Sequence, residues 1–152
     1  MSTRTADREI VAMRVIDAPR ETVFEMWTKH ESLARWWGPN GFTITTHEMD
    51  SRPGGIWRFV MHGPDGNYQN KIVYDEIVPP ERLVYTHTGD ARFQTTVTLT
   101  ERGNQTEVEV RMVFDSAAER AQVVKTFNAV EGLNQTLGRL VKHLTEMSGD
   151  RA

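Results

Sequence analysis

Hydrophobic residues repeat with a period of two near the start of the chain, where Val11, Met13 and Val15 recur within 9–16. That period predicts a strand with this face toward a core. After Asp17-Ala18-Pro19 the spacing becomes helical at Val23, Phe24 and Trp27, so a short helix is expected from about Pro19, whose fixed φ suits a first turn. A second apolar cluster, Leu33, Trp36 and Trp37, stops at Gly38-Pro39 and predicts a second short helix.

From 42 to 102 the punctuation is of the strand-and-turn kind. Arg52-Pro53-Gly54-Gly55, Pro64-Asp65-Gly66-Asn67, Pro79-Pro80-Glu81, Gly89-Asp90 and Arg102-Gly103-Asn104 separate strands expected over 42–49, 56–62, 68–78, 82–88, 93–101 and 106–114. Connections this short exclude βαβ crossovers, leaving an antiparallel meander of about seven strands. Trp57, Phe59 and Met61 alternate with Arg58, Val60 and His62, and Val108, Val110, Met112 and Phe114 alternate with Glu107, Glu109 and Arg111. One face is therefore apolar and the other meets water.

Ser116 with Glu119 forms a capping box, and the absence of later Pro allows one helix over 117–147, about 45 Å long. Val123, Phe127, Val130, Leu133, Leu137, Leu140, Val141 and Leu144 share one half of its wheel. Lys125, Gln135, Thr136, Arg139, Lys142, His143 and Glu146 fall on the other half. The apolar stripe must lie along the concave face of the sheet. A curved sheet gripping a long helix leaves room between them for a cavity.

The chain has 152 residues, the length of one domain, expected over 9–147 between short tails at 1–8 and 148–152. Eighteen Lys and Arg against 21 Asp and Glu give a formal charge of −3, so nucleic acid is disfavoured as a partner. No apolar run suits a signal peptide or a membrane span, and the lack of Cys excludes disulfides and thiolate chemistry, so a cytoplasmic protein is expected. An exposed edge strand would make a homodimer possible.

The order strand, two short helices, six strands and terminal helix is accompanied by Ala34-Arg35-Trp36-Trp37-Gly38-Pro39, Arg52-Pro53-Gly54-Gly55-x-Trp57 and Pro79-Pro80-Glu81-Arg82-Leu83-Val84. Together these resemble the SRPBCC (START-like, helix-grip) superfamily, and within it the family named after the activator of the ninety-kilodalton heat-shock-protein ATPase. The resemblance spans about 9–147. It implies an α+β helix-grip fold and a deep cavity for hydrophobic or amphipathic small molecules. Such proteins often carry Gly-Trp in the last helix; here Gly132 is followed by Leu133, so no ligand contact from that Trp is implied.

The candidate binding residues are Trp36, Trp37, Trp57, Phe59, Met61, Tyr74, Tyr85, His87, Phe93, Met112, Phe114, Phe127 and Asn134. Each ring or Met alone serves equally well as core filling; as a set, flat rings, polar Tyr tips and adaptable Met suit an apolar ligand. One of Trp36 and Trp37 should pack inward and the other cover the cavity mouth. Asn134 and Thr126 interrupt the helix stripe; each either bonds locally or, for Asn134, meets a ligand head group. His87 shares parity with Leu83 and Tyr85 and either moves a proton in the cavity or bonds to backbone.

His30, His47, His62, His87 and His143 lack metal-ligand spacing, so neither metal nor cofactor is expected. Gly54-Gly55 reads as a hairpin turn rather than a phosphate cradle. Asp75 and Glu76, being adjacent, should point to opposite faces, leaving Glu131 as the one acid able to reach the cavity. Three functions remain open. The first is binding of a small hydrophobic or amphipathic molecule without covalent chemistry. Related helix-grip proteins imply a cyclase- or aromatase-like enzyme using His87 or Glu131, and the family name implies a chaperone-associated module.

Overall fold

The computed structural model describes residues 6–88 and 92–150. A 3-10 turn, Ala6–Arg8, leads into β1 (Glu9–Ile16) and the helices α1 (Arg20–Thr28) and α2 (His30–Trp36). Then come β2 (Thr43–Met49), β3 (Ile56–Gly63), β4 (Gly66–Val78), β5 (Arg82–Thr88), β6 (Phe93–Arg102) and β7 (Gln105–Phe114). Two helices, α3 (Ala117–Phe127) and α4 (Ala129–Asp150), close the chain. The strands form one seven-stranded sheet in the order β1-β7-β6-β5-β4-β3-β2, with every neighbouring pair antiparallel. This is the expected α+β helix-grip architecture, with strand limits within two residues of those read from the pattern.

The inner face of the sheet carries Trp57, Phe59, Ile72, Tyr74, Leu83, Tyr85, Val97, Leu99, Val108 and Val110, all buried. Val23, Phe24, Met26 and Trp27 of α1, Leu33 and Trp36 of α2, and Leu137, Leu140 and Leu144 of α4 complete one core. Burying a side chain of this size contributes about 1.5–3 kcal/mol, so this shared core rather than helix propensity holds the short helices in place.

The parity expected for β1 is inverted. Val11, Met13 and Val15 are 44%, 47% and 55% exposed, while Ile10, Ala12 and Ile16 are buried. Register explains it: Ile10 faces Met112, Ala12 faces Val110 and Arg14 faces Val108 across the β1–β7 pair, on the inner side. Apolar residues occupy both faces of β1, and a charged residue in the inward set concealed the right one. Arg14 is accommodated by donating to Asn134 Oδ1 of α4 at 2.9 Å. Its other terminal nitrogen donates to the Met13 carbonyl at 2.7 Å, and Arg120 of α3 donates to the Glu9 carbonyl at 2.6 Å, so two carbonyls of this edge strand are occupied.

The single helix expected over 117–147 is two helices meeting at Asn128, which adopts a left-handed conformation (φ 52°, ψ 50°) and donates its N–H to the Val124 carbonyl at 2.9 Å. Asn tolerates this conformation better than other residues with a Cβ, and it ends α3 as a C-cap. Ser116 accepts from the Glu119 N–H as the capping motif requires. The break changes which residues are covered: Val123 is only half-buried and Val130 is 38% exposed. Thr126 is also exposed, its hydroxyl accepting from Gln122.

A bulge between Tyr74 and Glu76 overturns the expectation for the two adjacent acids. Asp75 accepts from Thr86 and Gln94, and Glu76 accepts from Arg82, all on the solvent side of the sheet. At the amino end Arg8 donates to the Phe114 carbonyl, so residues 6–8 belong to the fold rather than to a tail, and α4 continues to Asp150. Among the described residues no helix is long and apolar enough to cross a membrane, and no group of His, Asp and Glu could hold a metal ion.

Candidate functional site

Three turns deliver the side chains at the centre of the core. The last turn of α2 ends at Trp37, whose ψ of 134° sends the chain out of the helix toward Gly38 at φ 98°. The Arg52-Pro53-Gly54-Gly55 turn joins β2 to β3 and also docks on β4: Gly54 N–H donates to the Tyr74 carbonyl at 2.7 Å, and Tyr74 N–H donates to Gly55 O at 2.9 Å. A Cβ on Gly55 would stand 2.0 Å from the Asp50 carbonyl oxygen, so only Gly permits this approach. Pro79-Pro80-Glu81 turns β4 into β5 and is fastened by Leu99 N–H donating to Glu81 O at 2.8 Å. Trp37, Trp57, Tyr74 and Tyr85 are thus placed by the motifs that carry the family resemblance.

These four, with Trp27 and Ile72, line a slit of about 160 Å³ between atoms, too narrow to admit a water molecule. The deep cavity that the family resemblance implied is therefore closed in this structure, with Trp37 wedged among the rings that line it. Its ring centroid lies 5.0 Å from Trp57, 6.1 Å from Phe59 and 6.4 Å from Tyr85, edge-on or tilted in each case. Phe59 stacks on Trp57 at 3.9 Å. Trp36 instead packs edge-on to Trp27 at 4.8 Å in the helical layer and donates its indole N–H to the Met26 carbonyl at 3.1 Å. Neither Trp stands outside as a cover: Trp37 is the inward one and is half-buried, and Trp36 is wholly buried.

Tyr74 and Tyr85 meet edge-on at 6.3 Å, 3% and 5% exposed. Burial pushes both phenols well above their usual range, with a smaller opposing influence from the Ser51 hydroxyl on Tyr74 and from Trp27 on Tyr85. Ser51 gives its own proton to the Thr28 carbonyl at 2.9 Å, and the Tyr74 hydroxyl makes no hydrogen bond of ordinary geometry.

Further along the inner face, His87 Nε2 lies 2.6 Å from Asn70 Oδ1, and the imidazole stacks on Phe93 at 4.7 Å. Phe93 tilts against Phe114 at 5.1 Å, while Met61 and Met112 are half-buried at the margin of the core. Asn134 turns its oxygen to Arg14 and its amide nitrogen to the Val130 carbonyl, so its side chain is used within the fold. Glu131 is exposed and accepts from Gln135, away from the slit. Phe127 closes α3, and its side chain lies outside the described residues.

Sequence reasoning missed Trp27 and Ile72 as lining, though Trp27 was read on the apolar face of its helix, and it missed the role of the polar side of α4. Arg139 Nη1 donates to the carbonyls of Trp37, Gly38 and Pro39 at 3.1, 2.9 and 3.1 Å, and Gln135 accepts from Asn40 N–H at 3.0 Å. These two residues latch the segment bearing Trp37 to α4. Desolvation lowers the Arg139 pKa and, aided by nearby Arg35, that of His143, so this side of the helix is partly removed from water. A second, open groove of about 470 Å³ runs along the outer sheet face past exposed Arg58, Gln69 and Lys71; Arg58 is already paired with Glu48 at 2.9 Å.

A curved antiparallel sheet closed by a terminal helix, with two short helices after the first strand, defines the helix-grip class. The family model described as Activator of Hsp90 ATPase homolog 1-like protein matches residues 17–145, and the chain belongs to that family. Its fold is similar to that of a protein from Nitrosomonas europaea (TM-score 0.85, 21% identity, 95% of this chain and 98% of that one). A protein from Arthrobacter aurescens is also similar (TM-score 0.86, 22% identity, 95% and 90%). DynU16, a protein of the dynemicin biosynthetic locus, shares the fold at TM-score 0.66 and 21% identity, over 91% of this chain and 47% of that one. Among curated proteins no relative matches the sequence.

Proposed function

We propose that this protein binds a small hydrophobic or amphipathic molecule between the inner face of the sheet and α4, at the ring-lined slit. The observation that carries the reading is the Tyr74 hydroxyl, buried and unpartnered among apolar rings. Leaving such a group unsatisfied costs about 1–3 kcal/mol, a cost that a ligand able to pair with it would remove. The occurrence of the same fold in a protein of a biosynthetic locus agrees with a small-molecule role. Native mass spectrometry of the freshly purified protein, with thermal melts against a panel of apolar compounds, tests it. A ligand at 100 times its Kd should add about 2.7 kcal/mol of stability. No co-purifying molecule and no shift across the panel would refute the reading.

A second reading, proton transfer by His87 in an enzyme of the cyclase kind, is favoured by its place on the inner face beside Asn70. It requires that His87→Ala abolish turnover of a bound compound without unfolding the chain.

A further inference from the structure

The chemical class of the ligand can be taken further, on the basis of the binding reading above. Five of the six side chains around the slit are aromatic, Trp27, Trp37, Trp57, Tyr74 and Tyr85, and the sixth is Ile72. No charged side chain is among them, so an ionised group entering this space would lose its hydration with nothing to pair against. Ring faces and edges on opposing sides favour a flat, polarizable partner over a branched or flexible one. The Tyr74 hydroxyl, buried and lacking a partner, supplies a single polar contact. Because burial keeps its proton in place, that contact is a donor.

Room is the remaining condition. Ligand pockets usually enclose about 300–1,000 Å³, well above what the closed slit offers, so a lining side chain must move. Trp37 is the only half-buried member of the lining, the others being buried, and it stands on the segment between α2 and β2 beside Gly38 at φ 98°. We infer that the site takes a neutral, flat, conjugated molecule bearing a carbonyl-type oxygen, which displaces the Trp37 indole and accepts a hydrogen bond from Tyr74. The Trp37 ring, in this view, stands where the ligand would lie.

The test is a fluorescence titration of the whole chain with a matched pair of flat tricycles, 9-fluorenone and fluorene, and with fluorenone-4-carboxylate. The wild-type protein should bind the ketone about 10-fold more tightly than the hydrocarbon, and the carboxylate most weakly. Tyr74→Phe should bring the ketone down to the hydrocarbon's affinity and leave the hydrocarbon unchanged, whereas Trp37→Ala should tighten both neutral compounds. Retention of the ketone preference in Tyr74→Phe, or equal binding of the carboxylate, overturns the assigned chemistry while leaving apolar binding intact. Failure of both neutral tricycles to bind even Trp37→Ala would overturn the flat-ligand assignment, while the panel melts and native mass spectrometry decide the binding reading separately. Tyr74→Phe must also melt at or above the wild-type temperature, since it deletes an unpaired hydroxyl; a lower melting temperature would show that the hydroxyl is paired within the fold and overturn the inference.

Discussion

Truncating the two adjacent tryptophans should have unequal consequences. Trp36 is 1% exposed, sits edge-on to Trp27 and Trp37, and donates to the Met26 carbonyl. Trp36→Ala therefore loses the full burial of an indole, two ring pairs and a hydrogen bond, and leaves a sealed void, for a cost of about 4–5 kcal/mol. Trp37 touches four rings but is half-buried rather than sealed in the core, so Trp37→Ala should cost only about 2–3 kcal/mol. For a chain of this length each kcal/mol lowers Tm by about 2–4 °C, which separates the two variants clearly. Urea denaturation gives the energies, and an apolar fluorescent dye reports the opened slit, with uptake expected for Trp37→Ala alone among the folded proteins. Equal losses of stability in the two variants, with no dye uptake by Trp37→Ala, would show that Trp37 is ordinary core and would refute the argument that it fills a binding space.

Arg139→Met keeps the aliphatic stem but withdraws a donor from three carbonyls that water can partly reach; it should cost about 1–2 kcal/mol and change the Trp37 emission, as read by melting and fluorescence. Asn128→Gly should leave stability within about 0.5 kcal/mol of wild type or raise it, whereas Asn128→Ala, forced to a left-handed conformation, should lose about 1 kcal/mol in the same melts. The phenols of Tyr74 and Tyr85 have raised pKa values in the fold, so the unfolded chain releases protons first, from pH about 10. Stability should be independent of these groups below that pH and fall above it, by up to about 1.4 kcal/mol per pH unit for each phenol, with Tyr74→Phe and Tyr85→Phe each flattening the slope in alkaline denaturation.

The turn signals were sufficient to read the meander, because Pro and Gly clusters interrupt it at nearly every reversal. What escaped was whatever depended on contact between distant segments. Val11, Met13 and Val15 had the right period and the wrong face, since only pairing with β7 chooses between two apolar sets. Asn128 carried its own stop signal, the left-handed tolerance of Asn, but a continuous apolar stripe on either side outweighed it. At the slit, Trp57 and Tyr85 were legible from strand parity, and Tyr74 from its place among the candidate rings. That Trp37 would fill the space was not, because its direction is set after α2 ends and is held by Arg139, a residue assigned to the wet side of its helix.

The arginines bound to the Glu9 and Met13 carbonyls bear on how the molecule keeps company. A strand wishing to extend the sheet from that side would have to evict two guanidinium groups from oxygens they already hold, and one of those groups also anchors Asn134 of α4. Self-association by sheet continuation at this margin would thus loosen the closure of the terminal helix, setting fibre-like growth against the integrity of the fold.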